Sequence, residues 1–423
     1  MDFFLNDTQP SPTEASEAWC SGWDLFYLSY SQIHGWASLL VCIFGSIANL
    51  LNIIVLTRRE MRSPTNMILT GLAVADLFVM IEYIPYAIHM YLYHRSRKDK
   101  FTYGWSVFVL FHSNFAQVCH TISICLTVTL AVWRYIAVAH PQRNREWCSD
   151  KRTFLMIILA YVCCPLLCIP LYIATEVKPN MEMLDEYGNA LKEITNSTST
   201  GLMFNRTKTT TFDIHSQGAT NTTLYFVKFK TSMGDILKDI NFWIYSVVIK
   251  LIPCVALTVL SIKLVMVLLE AKQRRKNLTM KNTAIKMGNG KEHTYEKPKK
   301  RRKVTDKERQ TDRTTMMLLA VLLLFLLTEL PQGILGLLCV ILGTSFFNSC
   351  YLMLGDVIDI LTLINSAINF ILYCAMSRQF RMTFKQLFCN RWRFTRWMPV
   401  PHQPMENNGH TGTNHTVTQV TQV

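Results

Sequence analysis

Charged residues are scarce in this chain. Asp, Glu, Lys and Arg make up 17% of the 423 residues, while apolar residues make up 50%. That balance is too apolar for an ordinary soluble enzyme of this length. The signatures of catalysis are missing too. No Gly-rich phosphate loop, no His-Glu-x-x-His pattern and no Cys/His cluster at metal-ligand spacing occurs, so nothing points to an enzyme or to a resident cofactor. The last long apolar segment contains no lysine, which excludes a retinal Schiff base there. The N-terminus lacks a basic start followed by an apolar core, so no cleavable signal peptide is read, and the first apolar segment is expected to serve for targeting. No internal repeat or pair of broken segments is visible, which weighs against a transporter or channel, the competing class of membrane protein.

What is present is apolar sequence in clumps. A helix needs about 20 apolar residues to cross a bilayer. Seven segments qualify, at about 34–57, 66–92, 106–133, 153–174, 240–269, 314–342 and 351–376. Irregular backbone cannot face lipid, so each reads as a helix. The expected fold is an all-α membrane protein, a bundle of seven transmembrane helices over 34–376.

Lys and Arg in the connections set the orientation. Residues 1–33 carry none, but several acids. The loop after the first segment carries Arg58, Arg59 and Arg62, residues 271–312 form a dense basic loop, and basic residues continue through the tail. The N-terminus is therefore expected outside, in the plasma membrane. One outer loop dissents, with Arg95, Arg97, Lys98 and Lys100. The net charge of +14 is mostly this inner bias, so nucleic acid is not the implied partner. A long outer loop at 175–238 is rich in Thr, Asn and Ser, and the tail at 390–423 is polar. Glycan acceptors on the outer side are expected at Asn6, Asn196, Asn205 and Asn221. Of 13 cysteines most lie in the spans and read as small packing residues. Cys20 and Cys350 alone lie clearly on the oxidising side, so a Cys20–Cys350 bridge is expected.

Ionisable and amide side chains inside spans are costly and mark function by default. Asp76, Ser123, Asn365, Ser366 and Asn369 lie mid-membrane, with Asn365 and Asn369 on one helix face. Their oxygens suit a small hard cation such as sodium, or an interhelical hydrogen-bond network. A second set lies nearer the outside: Glu82, His89, His112, Gln117, His120, Lys250, Glu329, Asp356 and Asp359. Prolines at 85, 170, 253 and 331 free backbone groups and help to open a cavity. Lined by Glu82, Glu329, Asp356 and Asp359, such a cavity would attract a basic ligand. The competing reading for any one of them is a buried ion pair, such as Glu329 with Lys250 or a histidine. Arg134, at the end of the third span, is either a snorkelling anchor or a switch.

Taken in order, the motifs resemble those of rhodopsin-like G-protein-coupled receptors over about 34–389. They run Gly45-x-x-x-Asn49, Leu72 to Asp76, Arg134-Tyr135 with Pro141, Pro253, Phe325 with Pro331, Asn365-Ser366-x-x-Asn369-x-x-x-Tyr373, then Arg378-Gln379-Phe380 opening a short amphipathic eighth helix at 377–389. Closer similarity is to invertebrate myosuppressin and FMRFamide-related neuropeptide receptors. It rests on Leu56 to Asn66, Glu82-Tyr-Ile-Pro-Tyr86, His120-Thr-Ile-Ser123, Leu130 to Val138 and Thr328-Glu-Leu-Pro-Gln332. That resemblance implies an amidated peptide ending in Arg-Phe-amide, bound by the polar set above, with Glu82 and Asp359 foremost. It also implies an allosteric sodium at Asp76, Ser123, Asn365 and Asn369. A heterotrimeric G protein would bind where Arg134, Tyr135, Phe325, Pro331 and Tyr373 rearrange, and arrestin would follow. A myoinhibitory- or sex-peptide-type receptor shares much of the pattern. Cys389 is positioned for palmitoylation into membrane lipid, and Thr421-Gln422-Val423 matches a PDZ ligand.

The chain also departs from this pattern. Trp133 stands where most of the superfamily has the acid that pairs with the arginine, so Arg134 needs another restraint, with Asp312 a candidate. Glu329 replaces the usual aromatic two residues before Pro331, Phe370 replaces the proline after Asn369, and Ser261 replaces a tyrosine. Val109 and a cysteine-free outer loop remove both halves of the usual disulfide.

Overall fold

The computed structural model describes residues 24–93, 96–189, 220–230, 234–288, 320, 323–343 and 346–389. Seven helices in it are long and apolar enough to span a membrane: Leu25–Leu56, Pro64–Leu92, Tyr103–Ala139, Asp150–Ala174, Asp239–Glu270, Leu323–Gly343 and Leu352–Ala375. They are the expected seven spans. Three boundaries differ from expectation. The first helix already begins at Asp24, ahead of the expected start at 34. The third helix runs on to Ala139, and helical backbone continues from the fifth span to Gly288, inside what reads as a basic loop. Hydropathy ends with the membrane, but Lys, Arg, Met and Ala still favour helix.

Proline and π-helical turns shape the spans. The fourth breaks at Cys168 ahead of Pro170. Residues Ile244–Leu251 of the fifth form a π-helical stretch just before Pro253, which turns Lys250 and Tyr245 into the bundle. Close helix crossings need small residues. A Cβ on Gly336 would collide with Ser246 Oγ, so the fifth and sixth spans meet there at nearly backbone distance. Asn49 donates to the Ser366 carbonyl at 3.0 Å, tying the first span to the seventh. After the seventh span, Ser377 accepts from Phe380 N–H and starts a short helix, Arg378–Phe384. Phe380 is buried against Tyr373 and Phe370, which gives the expected eighth helix its apolar face.

The loop between the fourth and fifth spans holds a structure that composition conceals. Strand β1 (Thr175–Leu184) pairs antiparallel with β2 (Thr220–Phe229), Thr175 opposite Phe229 and Leu184 opposite Thr220. Leu224, Phe226 and Val227 of β2 are buried in the core at this end of the bundle. No disulfide holds the hairpin, since no cysteine exists in it. Arg97 holds it instead, its guanidinium forking onto the Glu182 carboxylate at 2.7 and 3.1 Å. The same guanidinium lies 5.0 Å from the Phe101 ring and 5.6 Å from the Phe226 ring. Backbone ties complete the clasp: Tyr225 N–H to Phe101 O at 2.9 Å, Ser106 Oγ to Tyr225 O at 2.6 Å, and Lys98 N–H to the carbonyl of Gly188, whose φ is +76°. Lys100 donates to Met90 O at 3.1 Å. The basic loop that breaks the charge rule is thus engaged in holding structure.

Replacing Arg97 with alanine should speed hydrogen exchange of the β2 amides about tenfold, the loss of one charge-assisted fork. Exchanging the charges (Arg97→Glu with Glu182→Arg) should restore most of the protection. Unchanged exchange in Arg97→Ala would remove the clasp.

Candidate functional site

At the hairpin end the spans enclose a cavity of about 250 Å³. A third of its lining is aromatic, with Tyr83 and Tyr86 from the second span, Phe242 and Tyr245 from the fifth, Phe347 and Tyr351 from the start of the seventh, and Phe229 from β2. The polar lining includes His112, Gln117, His120, Gln332 and Asp359. Four members of the expected ligand set, His112, Gln117, His120 and Asp359, therefore share one cavity.

The other five lie behind or beyond its wall, and the expectation of four acids lining one cavity is corrected to one, Asp359. Glu82 accepts from His112 Nδ1 at 2.6 Å, and the imidazole stacks on Tyr86 with centroids 4.0 Å apart. Glu82 therefore supports the histidine that faces the cavity. Asp356 accepts from the Tyr91 hydroxyl at 2.9 Å, beside His34, whose Nε2 lies 3.2 Å from the Tyr83 hydroxyl. His89 stacks on Trp105 at 3.5 Å and donates to the Lys100 carbonyl at 3.3 Å, in the clasp region. Lys250 and Glu329 form a direct ion pair, both fully buried. Glu329 also accepts from His120 Nε2 at 2.9 Å. Lys250 donates to Gln332 Oε1 at 2.9 Å, and Gln332 Nε2 to the Tyr245 hydroxyl at 2.5 Å. This chain of bonds links the third, fifth and sixth spans under the cavity floor. Most aromatic walls escaped sequence reasoning because aromatics in an apolar helix look like ordinary core; the Tyr-x-x-Tyr spacing of Tyr83 and Tyr86 was the available signal.

Deeper in the bundle, Asp76 accepts from Ser123 Oγ at 3.0 Å and from Asn369 Nδ2 at 3.1 Å. Asn365 is half-buried on the same helix as Asn369. At the opposite end, Trp133 donates through its indole nitrogen to Thr153 Oγ1 at 2.9 Å, and Thr153 donates to Ser149 O at 3.0 Å. The residue in the acid's place is therefore fastened to the fourth span. Arg134 Nε and the Tyr373 hydroxyl are both buried without a hydrogen-bond partner. Among the described residues no carboxylate pairs with Arg134, and Asp312 lies outside them. Tyr135 packs edge-on to His140, centroids 6.2 Å apart. Phe325 is buried beside Ile124 and Leu257, one and a half turns before Pro331. Asn221 is exposed on β2, whereas Asn6, Asn196, Asn205, Cys20 and Thr421-Gln422-Val423 lie outside the described residues. Cys350 is buried and disulfide-bonded.

Seven membrane-spanning helices, an eighth lying after them, a cavity at one end and, at the other, an arginine with no carboxylate partner among the described residues form the architecture of a G-protein-coupled receptor. Residues 36–391 match the family of serpentine-type seven-transmembrane receptors described as chemoreceptor Srw, and the chain belongs to it. Its relatives include invertebrate neuropeptide receptors. The chain is 29% identical over 376 residues to the G-protein coupled receptor dmsr-1 of Caenorhabditis elegans, covering 86% of this chain and 69% of that one. It is 27% identical over 378 residues to the sex peptide receptor of Drosophila melanogaster, covering 86% and 74%. To the FMRFamide receptor of Drosophila melanogaster it is 23% identical over 390 residues, covering 89% and 58%.

Breaking a buried ion pair from one side strands a charge, at a cost of about 3–5 kcal/mol. Lys250→Met should therefore destabilise the purified receptor strongly in thermal unfolding, and the double variant Lys250→Met with Glu329→Leu should recover much of the loss. Equal loss in both would show that the pair contributes only its packing.

Proposed function

We propose that this chain is a plasma-membrane receptor for an amidated neuropeptide of the Arg-Phe-amide type, with its N-terminus outside, signalling to a heterotrimeric G protein. One observation carries the reading. Among the described residues Asp359 is the one acid lining a cavity rich in aromatic side chains, while Glu82, Glu329 and Asp356 already hold partners. A ligand arginine finds one carboxylate to fork onto. The adjacent phenylalanine finds Tyr83, Tyr86 and Tyr351, and a neutral amide terminus avoids repulsion from the buried acids.

Ligand contact with His120 and Gln332 reaches the Lys250–Glu329 pair directly, since both side chains bond to it. A peptide that repositions them shifts the third, fifth and sixth spans together, and with them the far end of the bundle. There the unpartnered Arg134 and Tyr373 are the groups available to a G protein. Asp76 with the Ser123 hydroxyl and the Asn369 amide oxygen suits a sodium ion: one buried negative charge and neutral oxygens beside it. Asn365 is the further oxygen on that face, and an ion there would favour the resting bundle. We pair Cys350 with Cys20. Ten cysteines are free thiols, and Cys389 ends the eighth helix at the other end of the bundle. Asn6, Asn196, Asn205 and Asn221 remain the glycan acceptors, Cys389 the acylation site, and the C-terminal Thr421-Gln422-Val423 the PDZ contact, with arrestin following activation. The cavity's seven aromatic side chains also suit the ligand of a myoinhibitory- or sex-peptide-type receptor, the second reading.

A panel of amidated peptides in cells reporting calcium and cyclic AMP separates these readings. For an Arg-Phe-amide agonist, Asp359→Asn should lower potency about a hundredfold, an ion pair's worth in a desolvated site. Glu82→Gln should lower it less, because it acts through His112. Unchanged potency in both would remove this ligand site.

A further inference from the structure

A second cavity, of about 530 Å³, opens on the bundle's flank at the eighth-helix end, between the first, second and fourth spans. Its trough is apolar, walled by Met67, Val74, Phe154 and Ile157. Gly71 forms part of the trough, where a side chain would press on Ile157 and Leu126, each 3.3 Å from an added Cβ. The hydroxyl protons of three of its four hydroxyl residues are already committed. Thr57 donates to Ile53 O at 2.7 Å, Thr70 to Asn66 O at 2.8 Å and Tyr161 to Gly71 O at 2.8 Å, while Ser63 accepts from Asn66 N–H at 3.2 Å. Besides the Ser63 O–H, the uncommitted polar groups are cationic. Arg59 and Arg62 stand at the mouth, both exposed. Arg59 makes no ion pair among the described residues, and Arg62 meets Asp150 only through Nε, at 3.3 Å, with its side chain 71% exposed. Phe154 beside them is 57% exposed on the face that meets lipid.

An apolar trough along the helices, closed at headgroup depth by two guanidinium groups, matches the two halves of one molecule. We infer that this groove binds an anionic phospholipid, one acyl chain lying along Val74 and Ile157 and the phosphate held by Arg59 and Arg62. A sterol, with one neutral hydroxyl, would leave both positive charges unmatched, and a free phosphate would leave the trough empty. Anionic lipid is concentrated in the cytoplasmic leaflet, which agrees with the proposed orientation. The site itself needs only the membrane-spanning fold, and neither the peptide ligand nor the orientation enters its test.

The test uses the full-length receptor in nanodiscs of phosphatidylcholine with a minority of phosphatidylserine, read by native mass spectrometry of retained lipid and by the thermal unfolding midpoint. Wild type should retain phosphatidylserine and gain stability from it. Arg59→Gln with Arg62→Gln should weaken retention about tenfold and abolish the gain. Arg59→Gln alone, at an exposed and unpaired position, should give a several-fold loss without disturbing the fold. Arg58→Gln, in the same loop but off the groove, should behave as wild type. The proposal is overturned if the double variant retains phosphatidylserine equally, if Arg58→Gln loses as much as Arg59→Gln, or if cholesterol stabilises wild type and double variant alike and phosphatidylserine stabilises neither.

Discussion

The Lys250–Glu329 pair is the contact around which the upper half of this bundle is arranged. Two opposite charges with no exposed surface have no water to turn to, so each must be satisfied by protein. Glu329 takes His120 as a further donor, and Lys250 takes Gln332, which in turn takes Tyr245. The π-helical stretch ahead of Pro253 and the close approach at Gly336 both serve this geometry, by aiming Lys250 inward and letting the sixth span come near the fifth. A ligand resting on the cavity floor therefore touches groups already bonded to a charge pair that bridges helices.

The division of labour among the acids follows from the same rule. An acid far from water is neutralised by whatever cation or donor is near, and only the one left facing open space stays available. Glu82, Asp356 and Glu329 each met a partner from another helix, and Asp359 was left at the wall. Phe229, at the end of β2, closes part of the same wall, so the Arg97–Glu182 clasp that seats the hairpin also sets the shape of the cavity.

The seven spans were legible because a bilayer imposes a length and a composition that few other constraints imitate. The Asp76 cluster was legible for a related reason, since polar residues at helical spacing in an apolar run have nowhere else to turn. What could not be read was pairing between helices. Whether Glu329 faces ligand or Lys250 depends on the rotation of the fifth span, which a π-helical stretch resets without any mark in composition. The hairpin was hidden by its own connection. Its strands lie at the two ends of a Thr- and Asn-rich stretch, and only the run from Leu224 to Phe229, rich in aromatic and β-branched residues, carried a strand signal. The helix to Gly288 was hidden because basic residues mark topology and say little against helix.

Trp133 has a consequence for how the receptor answers its surroundings. An arginine held by a carboxylate is released when that carboxylate takes up a proton, which couples the opening of the bundle to acidity. Here the residue next to Arg134 is an indole bonded to Thr153, a group with no proton to gain between mild acid and mild base. Its hold on the fourth span is a neutral hydrogen bond and packing. That end of the receptor thus loses one route by which the proton concentration of the medium it faces would bias it toward the signalling state.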